Sequence, residues 1–164
     1  MMKSIILDAY NVIHSIPELS VKLKSGLQEA RRALLNFMVD WKQSRGYKGD
    51  ICIVYDGRDG VINDEGSKLW GIKCIFTSSK EEADDRIISM VRKASKPSEI
   101  VVISEDGKVV NGCKVYEANV ESPAFLKRKR KKKSDMIEPQ SKGSLSRRSE
   151  KEINEHYKKA LGLD

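Results

Sequence analysis

Four stretches of the chain carry apolar side chains at nearly every position and are bounded by polar residues. Apolar runs this short predict strands buried on both faces of a sheet, because a buried helix needs a longer segment. A further short run predicts a fifth strand. The predicted strands cover residues 5–8, 51–56, 72–76, 100–103 and 114–117.

Between the strands, apolar residues recur every three or four positions, which is typical of amphipathic helices. Ser25 and Gln28 form a capping box and Gly46 follows the last turn, so we expect a helix over residues 26–45. A second capping box, Ser79 with Glu82, predicts a helix from residue 80 to about residue 93. A short helical turn is expected at residues 18–24.

The C-terminal part of the chain has a different composition. Ser122 and Pro123 suit the start of a helix that continues into a run of basic residues. We expect residues 134–148, rich in Ser and Lys, to form a linker, and a capping box at Ser149 to open a terminal amphipathic helix. The predicted organisation is an α/β domain over residues 1–126, a basic segment and flexible linker over 127–148, and a helix over 149–164.

The alternation of strands with helices predicts the fold class. Such an order gives an α/β protein with a mainly parallel, doubly wound sheet and right-handed crossovers. The carboxyl ends of the parallel strands then lie along one edge, where open α/β sheets place their ligands.

Acidic residues follow three of the predicted strands. Asp8 and Asp56 each end an apolar run, and Glu105 and Asp106 follow the fourth strand directly. In the helix expected from residue 80, Asp84 lies near the edge of the apolar face. These acids are therefore expected to converge, whereas Asp85 points away from that face and suits a structural role at the start of a helix.

Carboxylates brought this close repel one another unless protons or cations neutralise them. Oxygen ligands without nearby His or Cys select hard ions, so we expect one or two Mg²⁺ or Mn²⁺ ions and chemistry on a phosphodiester. Phosphate-binding glycine loops are missing from the sequence, and neither His14 nor His156 has an evident nucleophile as a partner. No small-molecule cofactor is expected.

The charge distribution points to a polyanionic partner. The chain has 31 basic and 24 acidic residues and a net charge of +7. Residues 1–121 hold 18 of each sign, so the whole excess lies in the C-terminal part. Nucleic acid is the preferred partner; an anionic membrane surface, a solubility tail and a nuclear address are the alternatives. The run consists of Lys127, Arg128, Lys129, Arg130, Lys131, Lys132 and Lys133.

The cysteines and the overall hydropathy favour an intracellular location. Cys52, Cys74 and Cys113 are odd in number and match no zinc spacing, which predicts reduced core residues. No signal peptide and no apolar run of about 18 residues is evident, so a cytoplasmic protein without a membrane partner is expected.

Together these motifs resemble a known family. The segments are DAYNVI from Asp8, VYDG from Val54, FT from Phe76 before EADD from Glu82, and VVISED from Val101. In this order and spacing they resemble the NYN-domain branch of the PIN-like ribonucleases. More narrowly, they are similar to the bacterial and plastid ribosome-associated endoribonucleases that cleave messenger RNA.

The resemblance implies a PIN-like three-layer α/β/α sandwich and a Mg²⁺- or Mn²⁺-dependent endonuclease for single-stranded RNA. By position, Asp8 and Asp84 would be the principal metal acids, and Asp56 a supporting acid. Asn11 would orient Asp8, a metal-bound water or a phosphate. The family usually places Asp directly after the Ser of the fourth strand; here that residue is Glu105, and the metal ligand is either Glu105 or Asp106, with Asp106 preferred.

Two other functions stay open at this point. An RNA- or ribosome-binding adaptor with a vestigial acidic pocket would use the basic run alone. A PIN-like nuclease acting on structured DNA would keep the chemistry and change the substrate. The expected partners are RNA and the ribosome, and a monomer is favoured.

Overall fold

The sheet of this protein is mainly parallel, as the sequence predicts. The computed structural model describes residues 3–57, 68–78 and 80–128, and in these the strand order is β3-β4-β2-β1-β5-β6. β3 is antiparallel to β4, and the other neighbours pair in parallel. The strands are β1 (Ser4–Asp8), β2 (Ile51–Tyr55), β3 (Lys68–Leu69), β4 (Ile72–Phe76), β5 (Ile100–Ile103) and β6 (Asn119–Glu121).

Helices cover both faces of the sheet. The α-helices are α1 (Ala9–Ser15), α2 (Pro17–Ser20), α3 (Leu27–Arg45), α4 (Ala83–Lys93) and α5 (Gly107–Lys114). Short 3₁₀ helices occupy Val21–Ser25, Pro97–Glu99 and Pro123–Lys127. None of the helices in the described ranges combines the length and the apolar character needed to cross a membrane.

Two apolar cores lie between the three layers, one on each face of the sheet, because successive side chains of a strand point to opposite faces. Ile5 and Leu7 of β1 pack in the core formed with α1 and α3. Ile6 points the other way and packs with Ile87 of α4 and Val109 of α5. The expected α/β/α sandwich is confirmed.

β1 lies inside the sheet, between β2 and β5. Asp8 pairs in register with Val54, and Leu7 pairs with Ile103. The residues that follow β2 and β5 therefore flank the end of β1, so tertiary pairing brings the predicted acidic positions to one edge.

The prediction of a fifth strand over residues 114–117 is wrong. That region is the end of α5 and a turn in which Glu117 has a φ of 67°, and the strand comes later, as β6. The helix forms because Asp106 Oδ1 accepts hydrogen bonds from the backbone of Lys108 and Val109, and because Val109 and Cys113 bury the same face.

The predicted helix starts also need correction. Ser25 belongs to a 3₁₀ helix, and Gly26 is the N-cap of α3 without a side-chain bond, so the capping box does not form. α4 begins at Ala83 rather than at residue 80, because Glu81 N bonds to Ser78 O in a preceding turn. Gly46 does end α3, with a φ of 59°.

Other predictions fall outside the described residues. These are the Ser79 member of the second capping box, the linker over 134–148 and the helix over 149–164. The helix expected after Ser122 is the 3₁₀ helix Pro123–Lys127, which ends as the basic run begins. The short strand β3 is not predicted from the sequence, since two residues carry no periodic signal.

Candidate active site

Asp8 lies at the carboxyl end of β1, on the face of the sheet that α4 and α5 cover. Its Oδ2 accepts a hydrogen bond from the Ser104 hydroxyl at 3.1 Å. The same hydroxyl accepts a bond from the backbone N–H of Asp106, also at 3.1 Å. Ser104, 2% exposed, therefore joins the end of β1 to the start of α5.

The surroundings of Asp8 disfavour its ionised carboxylate. Burial is the largest cause, and together with the nearby carboxylates of Asp106 and Asp84 it raises the pKa of Asp8 to about 6. The hydrogen bond from Ser104 opposes this rise. Asp106 and Asp84 thus each lie close enough to Asp8 to repel its charged carboxylate.

The Asn11 side chain joins α1 to the loop that follows β5. Its Oδ1 accepts a hydrogen bond from the backbone N–H of Glu105 at 2.8 Å. The contact crosses from the first turn of α1 to the loop after β5. The side-chain oxygen of Asn11 thus orients the loop that carries Glu105 and Asp106.

The two acids after β5 have different surroundings. Asp106 caps α5 through Oδ1 and is one of the groups that raise the pKa of Asp8. Both residues are exposed, but Glu105 contributes its backbone N–H to Asn11, and its carboxylate is not among the main groups that shift the pKa of Asp8. Of these two acids, Asp106 is therefore the one whose charge acts on the Asp8 carboxylate.

Asp56 directly follows β2 and is half-buried. The groups that chiefly shift the pKa of Asp8 do not include it. Beside it, the Gly57 N–H donates to Thr77 Oγ1 at 3.0 Å, and a Cβ on Gly57 would lie 1.5 Å from Thr77 O. The turn after Asp56 therefore requires glycine, because the chain passes directly against the end of β4.

At the start of α4, acidic side chains gather around one lysine. One carboxylate oxygen each of Glu82, Asp84 and Asp85 lie within 4.8 Å of one another. Lys108 Nζ lies 3.4, 3.5 and 2.9 Å from oxygens of these residues in that order. Hydrogen bonding to Asp85 is the main reason that the pKa of Lys108 rises above its usual value, so this side chain stays protonated.

Sequence reasoning misses three parts of this arrangement. It assigns Glu82 only a capping role and Asp85 only a structural one, and it does not single out Lys108. The helical pattern does separate Asp84, whose side chain is 19% exposed, from Asp85 at 54%. A lysine that comes from another helix leaves no signal in local spacing.

The start of the basic run contacts the folded domain. Lys127 pairs with Glu18, and Arg128 Nη2 lies 3.5 Å from Glu121 Oε2. The Arg128 backbone oxygen also accepts a hydrogen bond from Arg45. The other predicted nucleic-acid-binding residues of the run, from Lys129 to Lys133, lie outside the described part of the chain.

The donor set of this edge suits a hard divalent ion. Asp8, Asp84 and Asp106 offer carboxylate oxygens, and Asn11 is a neighbouring amide. The cysteines are free thiols in the core, and burial raises the pKa of Cys52 and that of Cys113 to about 11, which disfavours the thiolate needed to bind a metal. Oxygen ligands alone favour Mg²⁺ or Mn²⁺ over softer metals.

Comparison with known proteins gives the family. The family model described as a YacP-like NYN domain matches residues 5–162. The chain belongs to this family. The comparison with curated proteins gives no significant match.

Solved structures of the YacP group share the fold. The crystal structure of Rae1 (YacP) from Bacillus subtilis aligns with a TM-score of 0.62 and 21% identity, covering 98% of this chain and 83% of that chain. The structure of a tryptophan-to-leucine mutant of that protein aligns with a TM-score of 0.61 and 20% identity, over 98% and 85%. The NYN family membership supports a nuclease, and the PIN-like fold predicted from the sequence is confirmed.

Proposed function

We propose that this chain is a metal-dependent endoribonuclease that cleaves single-stranded RNA at the edge of the sheet formed by β1 and β5. The observation that carries this proposal is the position of Asp8. Burial of its carboxylate, with Asp106 and Asp84 as electrostatic neighbours, raises the pKa of Asp8 to about 6. Mutual repulsion of this kind destabilises the protein by itself and is relieved by a divalent cation.

Each residue of the edge has a role in this proposal. Asp8, Asp84 and Asp106 would hold one or two Mg²⁺ or Mn²⁺ ions, with Glu105 as the alternative to Asp106 and Asp56 as a supporting acid. Such an ion supplies a water of lowered pKa and neutralises charge on the phosphate. Ser104 orients Asp8, and Asn11 fixes the loop before α5.

The substrate and setting follow from the family resemblance and the charge of the chain. We propose messenger RNA on the ribosome as the substrate, a cytoplasmic location and a monomer. The basic run from Lys127 to Lys133 would hold the phosphate backbone and contribute little base specificity.

A cleavage assay tests the proposal. Single-stranded RNA is incubated with the full chain and Mn²⁺ or Mg²⁺, with and without EDTA. We expect metal-dependent cuts, and a loss of about 100-fold or more in Asp8→Asn because charge stabilisation at the phosphate is lost. Asp50→Asn, at the opposite edge of the sheet, is the matched control and should keep its activity. Cleavage that survives EDTA, or an active Asp8→Asn variant, would overturn the mechanism.

The same assay separates the other two functions. A DNA flap offered in competition with RNA identifies a nuclease for structured DNA if it is cut faster. Metal-independent binding of RNA without any cleavage identifies an adaptor that uses only the basic run.

A further inference from the structure

Lys108 occupies the centre of the acidic group at the start of α4. Its Nζ contacts Asp85 Oδ1 at 2.9 Å, Glu82 Oε2 at 3.4 Å and Asp84 Oδ2 at 3.5 Å. A single ammonium thus contacts three carboxylates, which come from the N-cap and the first turn of another helix, and offsets part of their negative charge. Asp84 belongs both to this group and to the electrostatic surroundings of Asp8.

The ammonium and a divalent ion exclude each other at this position. A Mg²⁺ ion needs ligand oxygens at about 2.0–2.1 Å. One carboxylate oxygen of each of the three residues lies within 4.8 Å of the other two, a spacing that suits one cation. As long as Lys108 stays in place, an ion cannot bind directly to all three of these carboxylates.

The packing of α4 against α5 keeps Lys108 in place. One turn after Lys108, Gly112 lies so close to Ile88 that a Cβ there would be 2.5 Å from Ile88 Cδ1. Upstream, Asp106 caps the same helix and binds the backbone of Lys108. The start of α5 is therefore held on both sides, and the Lys108 side chain reaches across to the start of α4.

We propose that Lys108 is the resident second cation of this cleft, so that the chain binds one divalent ion at Asp8, Asp84 and Asp106 instead of two. This inference rests on the proposed function, since it presumes that the first ion binds. Lys108 acts through Asp84 as a positioning residue: its positive charge compensates the acids of α4 in the place that the second ion of a two-metal nuclease would take.

Counting bound Mn²⁺ tests the proposal. The full chain is titrated with Mn²⁺ in the absence of RNA, and free Mn²⁺ is measured by electron paramagnetic resonance at room temperature. Frozen samples then show whether two ions are spin-coupled, as expected for ions about 4 Å apart. The variants are Lys108→Met, Lys108→Gln and Lys108→Arg, and the matched control is Lys114→Met at the end of the same helix.

One ion is expected for the wild type, for Lys108→Arg and for Lys114→Met. A second ion, with a spin-coupled signal, is expected for Lys108→Met and Lys108→Gln, because loss of the ammonium frees its position and removes the one positive charge among the three carboxylates. A purely structural role of Lys108 would not change the number of ions. If Lys108→Met fails to fold, Lys108→Gln measures the same charge removal with a polar side chain.

Two results would overturn the proposed role of Lys108 and leave the metal-dependent function standing. They are two bound ions on the wild type, or one bound ion on folded Lys108→Met and Lys108→Gln. A chain that binds no Mn²⁺ in any variant would overturn the metal-dependent function itself. The two failures are therefore distinguishable in a single experiment.

Discussion

The Ser104 hydroxyl donates a hydrogen bond to Asp8 across the boundary between β5 and β1. It simultaneously accepts one from the backbone of Asp106, so a single buried oxygen orients two of the proposed metal acids. Positions of this kind control metal affinity because they hold the ligands in place before the ion arrives.

Ser104→Ala should weaken the metal site without removing a ligand. The pKa of Asp8 should rise further, since the hydrogen bond that opposes its rise is lost. We expect Mn²⁺ affinity to fall by about tenfold or more. Carbon NMR of the Asp8 carboxyl and a Mn²⁺ titration measure both effects. Ser98→Ala, at an exposed serine, is the control, and an unchanged Mn²⁺ affinity in Ser104→Ala would contradict the role of Ser104.

Asp8→Asn should make the metal-free protein more stable at neutral pH. The folded-state pKa of Asp8, about 6, lies above its ordinary value of 3.8. The folded state favours the protonated carboxyl of Asp8. The contribution of this group to the free energy of unfolding is therefore fully present below about pH 4 and is lost as the pH rises through 6. At pH 8 the free energy of unfolding of the variant should exceed that of the wild type by about 3 kcal/mol, and at pH 4 the two should be similar.

Urea denaturation in EDTA at the two pH values measures this difference. Excess Mn²⁺ should reverse the order at pH 8, because only the wild type keeps the complete set of acids. A variant that is less stable than the wild type in EDTA at pH 8 would show that Asp8 is compensated by another group.

Asn11→Ala should loosen the loop before α5. Loss of the acceptor leaves the Glu105 N–H without its partner, at a cost of about 1 kcal/mol. Asn11→Asp keeps an acceptor oxygen and should lose less stability, although the added charge raises the pKa of Asp8 further. Denaturation midpoints compare the two variants, and equal losses would mean that the oxygen of Asn11 does not hold the loop.

Gly57→Ala should destabilise the edge of the sheet. The added Cβ would meet the backbone oxygen of Thr77, which cannot move without breaking the end of β4, so we expect a loss above about 3 kcal/mol. Gly107→Ala is the matched control: its Cβ would enter open space at the first position of α5 and should leave stability unchanged or slightly improved. Thermal denaturation of both variants measures the difference.

Neutralising the basic run should reduce RNA affinity unevenly along it. Lys127 and Arg128 already face Glu18 and Glu121, so their substitution should change the salt dependence of binding little. Substituting the five cations from Lys129 to Lys133 with Gln should lower the slope of log K against log salt by up to about 3.5. Fluorescence anisotropy with single-stranded RNA at several salt concentrations measures both slopes. If substituting Lys127 and Arg128 changed the slope as much per residue as substituting Lys129 to Lys133, the ion pairs of Lys127 and Arg128 would be contradicted.

Much of the fold could be predicted because its strands are buried on both faces. The apolar runs that end at Asp8 and Tyr55 are local signals, and each strand lies where its run predicts. The prediction failed at residues 114–117, where a capping contact from Asp106 decides for a helix, and at Ser25, where a 3₁₀ turn replaces the expected cap.

The sequence by itself determined the strand order along the chain, the acids at the strand ends and the separation of Asp84 from Asp85, since these depend on neighbouring residues and on helical or strand periodicity. Only the tertiary structure decided which groups surround them. Ser104 reaches Asp8 because β5 pairs beside β1, and Lys108 reaches Glu82 because α5 packs against α4. Contacts between residues far apart in the chain depend on strand pairing and helix packing, which local spacing does not encode.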